Sequence, residues 1–167
     1  MSNVEHICKR CAGCQKTCCQ QTDIYVSPGD LERVAAHTGR HDFYEFRVPS
    51  DPVYWQLDDD PLWQQSVFRD DRSRRVLKQR DGGDCTFLGE QGCTLPADVR
   101  PLVCRLYPYD YDARGIRPHF AGGCPTQLLM PGETLGTAIG MTRADAELWH
   151  RQLYAEIVTE QHLVAQA

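Results

Sequence analysis

Cysteine is the residue type with the most chemistry in this chain, and its spacing carries the argument. Five thiols fall within twelve residues: Cys8-Lys-Arg-Cys11-Ala-Gly-Cys14-Gln-Lys-Thr-Cys18-Cys19. A segment that short cannot bury five cysteines in an apolar core. Thiolates two and three residues apart can instead converge on a metal centre, because a tight turn brings their sulfurs together. A second block supplies Cys85, Cys93, Cys104 and Cys124, with seven, ten and nineteen residues between successive thiols.

The run Cys8-x2-Cys11-x2-Cys14-x3-Cys18 has the ligand spacing used for iron–sulfur clusters in bacterial ferredoxins, with Cys19 where that motif has proline. Structural zinc favours two well-separated CxxC knuckles, which the second block does not form. Spacing therefore favours iron–sulfur over zinc, and zinc stays as the alternative. Adjacent residues of an extended segment point in opposite directions, so Cys18 and Cys19 are expected to serve different metals. Eight thiols suffice for two four-thiolate centres or one larger polynuclear one. Arg100, Arg105 and Tyr107 are candidates for the surrounding shell, with Tyr109 beside them, since hydrogen bonds and charge near the sulfurs tune such centres. Their ordinary alternatives are an ion pair for arginine and a core-edge ring for tyrosine. His119, five residues before Cys124, could ligate a metal, although a plain core or surface histidine is the commoner case. Asp84 and Glu90 are weaker candidates. No P-loop, HExxH, GxGxxG or GxSxG motif is present, and neither is the C-x3-C-x2-C spacing of radical enzymes.

The chain has 167 residues, the length of one ordinary domain, spanning 1–167. Cysteine supplies nine of its apolar-class residues, which leaves a thin core that metal binding would reinforce. The formal net charge of -5 gives no support to nucleic-acid binding. Met1 to Ile7 is polar, and no apolar run reaches membrane-spanning length, so no membrane association is expected. Reduced thiols in quantity, in an odd number, point to a cytoplasmic protein rather than a disulfide scaffold.

The positioning elements follow from capping and periodicity. Ser27-Pro28-Gly29-Asp30 opens a helix over about 28–38, with Leu31, Val34 and Ala35 on one face and Gly39 as its stop. Thr22 to Val26 reads as a short strand. Phe43, Tyr44 and Phe46 suggest a helical turn, and Pro49 to Pro61 a loop whose Asp58-Asp59-Asp60 run is solvated and whose Trp55 and Trp63 cap the core. Val76 to Gln79 reads as a strand ending at Gly82-Gly83. Cys85 and Cys93 flank a Gly89 to Gly92 hairpin turn, and Pro96 to Val103 forms one or two helical turns ending at Cys104. Thr142-Arg-Ala-Asp145 starts a long amphipathic helix over about 142–160, with Ala146, Trp149, Leu153 and Ile157 on its buried side. Arg69 to Arg80 is the one basic stretch, a solvated face or a docking patch for an acidic protein. The expected fold is a small α+β, cysteine-rich, metal-centred domain, with helices flanking irregular loops and a short hairpin. Its metal-binding core spans about 8–125.

Read together, these blocks resemble the YkgJ-type CxxCxxCC family of zinc- or iron-chelating proteins. The likeness rests on Cys11-x2-Cys14-x3-Cys18-Cys19, on Ser27 to Ala35, on Cys85-Thr-Phe-Leu-Gly-Glu-Gln-Gly-Cys93 and on Cys124-Pro125. It rests most on Arg100-Pro-Leu-Val-Cys104-Arg105-Leu-Tyr-Pro108, which looks like the family's RPxxCRxxP signature. One additional residue precedes the Cys18-Cys19 pair, and Cys8 lies upstream of the family pattern. The resemblance implies metal or iron–sulfur binding through eight of the nine cysteines and brings no agreed reaction. A related branch resembles flagellin lysine methylases, whose chains are much longer. Three functions follow as expectations. One is an iron–sulfur redox protein, an oxidoreductase or electron carrier with a redox partner. Another is a zinc-stabilised module that binds a protein partner through the basic stretch or the C-terminal helix. The third is an accessory factor or enzyme in protein modification.

Overall fold

Ser27 and Asp30 close a reciprocal capping box. The serine Oγ accepts from the Asp30 N–H at 3.1 Å, and the aspartate accepts from the Ser27 N–H at 3.0 Å. With Pro28 at its first turn, this box starts α1 (Pro28–Thr38), and Gly39 ends it in the left-handed region at φ +70°. The computed structural model describes residues 23–52, 60–90, 92–120 and 126–165. The run Cys8 to Cys19, Cys124, Trp55, Asp58 and Asp59 lie outside those residues.

Strand β1 (Tyr44–Arg47) pairs antiparallel with β2 (Arg74–Leu77), Tyr44 opposite Leu77 and Phe46 opposite Arg75. The helical turn expected around Phe43 to Phe46 is therefore corrected to a strand. Tyr44 and Phe46 alternate, and period two fits a pleated surface once a partner strand is available. On the far side of β2, Tyr25 bridges Val76, and the Leu77 N–H donates to the Ile24 carbonyl at 2.9 Å. The chain after the first cysteine block is thus sewn onto β2. The strand expected at Val76 to Gln79 begins two residues earlier, and Gln79 bridges Cys85 instead.

Pro61, expected in a loop, opens helix α2 (Pro61–Val67), whose N-cap Asp60 accepts from the Trp63 N–H at 3.1 Å. Aspartate followed by proline is a helix start, and the acidic run around it obscured that signal. Next come the hairpin β3 (Leu88–Gly89) with β4 (Gly92–Cys93), helix α3 (Leu102–Leu106), and β5 (Tyr109–Asp112) paired with β6 (Gly115–Phe120). A short helix α4 (Leu135–Ile139) precedes the long α5 (Arg143–Ala165). Thr142 and Asp145 cap α5 reciprocally, as their spacing predicts.

Ala146, Leu153 and Ile157 of α5 are wholly buried and carry the main core. They meet Leu102 and Leu106 of α3, Val67 of α2 and Ala138 and Ile139 of α4, with Trp63 and Trp149 partly buried against them. Full burial of each large aliphatic side chain contributes about 1.5–3 kcal/mol, so α5 is the principal strut. A second apolar cluster gathers Ile24, Val26, Val34, Phe43, Leu77, Phe87, Leu88 and Leu95. Five helices with three short antiparallel strand pairs, among the described residues, make the architecture α+β. Among those residues no helix is long and apolar enough to cross a membrane.

Candidate metal centre

All three described cysteines belong to or pack against the second apolar cluster. Cys85 is buried within it, and Cys93 and Cys104 pack against it from the side, all three as thiols. They come from three different pieces of chain. Cys85 follows the Gly82-Gly83 turn, where both glycines sit at φ +93° in a region side chains avoid. Cys93 ends β4 opposite Leu88. Cys104 lies in the middle of α3 rather than at its end, because Pro101 and not Pro96 opens the helix.

The turn at Cys85 has the shape of a sulfur-ligand knuckle. The Leu88 N–H donates to the Cys85 carbonyl at 2.9 Å, and the Phe87 N–H donates to its Sγ at 3.5 Å. Backbone N–H groups aimed at sulfur orient thiolate ligands and tune the metal they hold. The hairpin that leads on to Cys93 is tied down by Thr94, whose N–H and hydroxyl both donate to the Phe87 carbonyl, at 2.8 and 2.9 Å. Arg80 adds a bond to the Leu88 carbonyl at 2.8 Å.

Arg100 and Arg105 lace the loop between Cys93 and Cys104. The Arg100 Nε donates to the Leu95 carbonyl at 3.0 Å, and the Arg105 Nε to the Arg100 carbonyl at 2.8 Å. A second Arg105 nitrogen reaches the Asp98 carbonyl, and its guanidinium faces the Trp149 ring. Burial and the neighbouring Arg33 charge lower the pKa of Arg105. The main-chain N–H of Tyr107 caps α3 on the Val103 carbonyl. Tyr109 packs toward the main core, and His119 falls in β6. Glu90 is exposed, and Asp84 lies 3.7 Å from Arg80.

Two residues of consequence carry no sequence signal for their tertiary role. Burial first, and second the negative charge that the nearby Cys104 carries as a thiolate when ionised, push the phenol pKa of Tyr111 upward. Asp30, legible only as a helix cap, is fully buried, and its Oδ1 accepts from the Leu102 N–H at 3.0 Å at the start of the Cys104 helix. Its pKa is raised, with burial the largest cause and the Ser27 and Arg33 hydrogen bonds acting against it.

The donor chemistry fits a thiophilic metal: three soft sulfurs belong to or pack against one apolar cluster. Among the described residues no group of three or more His, Cys, Asp or Glu side chains is poised to hold one ion. Cys85, Cys93 and Cys104 would hold a metal together with donors from the other cysteines, Cys8, Cys11, Cys14, Cys18, Cys19 and Cys124.

No curated protein and no solved structure matches this chain. The family CxxCxxCC, "Putative zinc- or iron-chelating domain", matches residues 10–124. That span takes in every cysteine except Cys8 and stops short of α5. It covers more than half of the chain and begins and ends at the two cysteine blocks, so this protein belongs to the CxxCxxCC family of zinc- or iron-chelating domains.

Proposed function

We propose that this chain is an iron–sulfur protein whose thiols from both blocks, Cys8 to Cys19 and Cys85 to Cys124, ligate one or two clusters that exchange electrons with a protein partner. The observation that carries this reading is that Cys85, Cys93 and Cys104, from three separate pieces of chain, belong to or pack against the same apolar cluster as Ile24. Cys19 precedes Ile24 by five residues, and an extended chain of that length spans at most about 18 Å. Cys19, the last thiol of the first block, therefore lies within that reach of Ile24. Cys124 lies four residues after the end of β6. The ferredoxin-like spacing of Cys8 to Cys18 favours iron–sulfur over zinc.

A cluster held this way supplies one-electron chemistry. The protein's own part is to fix the sulfurs, aim N–H groups such as that of Phe87 at them, and keep water from the buried Cys85. Thiols in this number are kept reduced in the cytoplasm, which is where such a protein would work. The family description embraces zinc equally, so a zinc-stabilised binding module without redox chemistry is the second reading.

Purification under anaerobic conditions separates the two. The iron–sulfur reading expects a brown protein, visible absorption bleached by dithionite, and acid-labile sulfide close to stoichiometric with iron. A colourless protein with stoichiometric zinc and no sulfide would replace it with the zinc module. A protein that is folded and metal-free would sink both.

A further inference from the structure

We propose that Asp30 is a positioning residue for Cys104, and that Glu156 of the C-terminal helix supports it through Arg33. The inference rests on the reading of Cys104 as a metal ligand. Asp30 is fully buried, and both of its oxygens are in use. Oδ2 accepts from the Ser27 N–H, which completes the cap of α1. Oδ1 faces the other way along the chain. It accepts from Arg33 Nη2 at 2.6 Å and from the Leu102 N–H at 3.0 Å, seventy-two residues away. Leu102 is the first residue of α3, and Cys104 follows two residues later.

The α3 helix needs this help. It is five residues long, and its N-cap is Pro101, which offers no side-chain hydrogen bond. The Leu102 N–H is buried with its residue and would otherwise have no capping acceptor at this end of the helix. A buried donor without an acceptor is expensive, so the Asp30 bond fixes where α3 starts and how it is rotated. That in turn sets where the Cys104 sulfur points. A metal ligand tolerates little misplacement, and loss of a partner in the outer shell typically weakens metal binding by about 10- to 100-fold.

Glu156 extends this link beyond the family region. Its carboxylate accepts from Arg33 at 2.7 and 3.1 Å and from the Ser27 hydroxyl. Arg33 thus bridges Asp30 and Glu156, one guanidinium between two carboxylates. Gly29 makes room for this: a Cβ there would lie 2.3 Å from the Glu156 carboxylate. The helix α5, outside residues 10–124, is in this way joined to the segment that presents Cys104.

Cobalt(II) is the probe, because its absorption reports thiolate coordination. Full-length wild type, Asp30→Asn, Glu156→Gln and Cys104→Ser are titrated with cobalt(II) under anaerobic conditions. Asparagine keeps the size of Asp30, removes its charge and turns one acceptor into a donor. Asp30→Asn is expected to lose about 10- to 100-fold in affinity and to shift its thiolate-to-cobalt band toward that of Cys104→Ser. Glu156→Gln should move both readings the same way by less. Alkylation of Cys104 by iodoacetamide, followed peptide by peptide on the as-purified proteins with Cys93 as internal control, should be selectively faster in Asp30→Asn. Wild-type affinity and band in Asp30→Asn would overturn the proposal, whatever happens to its melting temperature. If wild type binds no cobalt, the metal reading fails, and the Cys104-to-Cys93 alkylation ratio still decides whether Asp30 places the thiol: an unchanged ratio overturns the proposal. Should Asp30→Asn fail to fold, Glu156→Gln decides by the same two readings, no change in either overturning it.

Discussion

Replacing Gly29 with alanine tests the central network by the sign of its effect. Gly29 is the second residue of α1, and helix propensity alone says that alanine should stabilise there by about 0.5–1 kcal/mol. The tertiary structure says the opposite. The new Cβ would lie 2.3 to 2.6 Å from three atoms of the Glu156 carboxylate group, so that group must move. It is the end of a flexible side chain and can move, but only by straining its bonds to Arg33, Ser27 and Gln152. Charge-assisted hydrogen bonds contribute about 1.5–3 kcal/mol each. Weakening two of them in this half-buried setting should lose roughly 3 kcal/mol, against about 1 kcal/mol gained in the helix. Gly29→Ala is therefore expected to be destabilised by about 2 kcal/mol, a fall of roughly 4–8 °C in Tm for a chain of this length. Urea unfolding followed by circular dichroism would measure it, with an unchanged slope showing that the unfolded state is not the cause. The discriminating step is the double mutant. In a Glu156→Ala background the clash is gone, and Gly29→Ala should become neutral or stabilising, a coupling of about 2 kcal/mol or more between the two sites. A Gly29→Ala protein as stable as wild type, or effects that simply add, would refute the geometry.

Other outcomes follow from the same contacts. Tyr154 donates its hydroxyl to the Asp60 carboxylate, so Tyr154→Phe should cost about 1–3 kcal/mol by leaving that half-buried acceptor short of a donor; thermal melts would show it, and an unchanged Tm would contradict it. The Arg114 hydrogen bond holds Asp112 below its ordinary pKa of 3.8. A depressed carboxylate contributes stability that is complete above its unfolded value and is lost as pH falls below it toward the folded one. Asp112→Asn should accordingly flatten the acid limb of a Tm-against-pH curve below about pH 3.8 and leave its shape at neutral pH unaltered. Cys104→Ser and Cys19→Ser should each lower metal and sulfide per chain. Full metal retention in Cys19→Ser would refute the division of Cys18 and Cys19 between two centres.

Local signals were legible wherever one residue type answers one local demand. Ser27-Pro28 and Gly39 bound α1, Thr142 with Asp145 opens α5, and Ala146, Leu153 and Ile157 mark its buried stripe. These depend on successive groups within about two helical turns of one another, so no fold is needed to read them. Errors arose where the deciding partner is remote. Tyr44 to Arg47 is a strand because Arg74–Leu77 lies beside it. The basic stretch shows the same limit: Arg74 is buried, and Arg75 pairs with the buried Glu160 at 2.8 Å while lying over Phe46, rather than standing in solvent.

The sequence by itself determined the chemistry of this protein. Nine cysteines in two blocks select thiophilic metals, and the RPxxCRxxP signature around Cys104 marks the family. Neither needs a coordinate, because ligand type and spacing are covalent properties of the chain. Only the tertiary structure decided which remote groups serve those thiols. That Cys85, Cys93 and Cys104 belong to or pack against one apolar cluster, that Asp30 closes the start of the Cys104 helix, and that Glu156 reaches across to Gly29 are contacts between residues far apart in the chain. Hydrogen bonds and burial depend on distance in space, and only the packing of the elements on one another sets that distance.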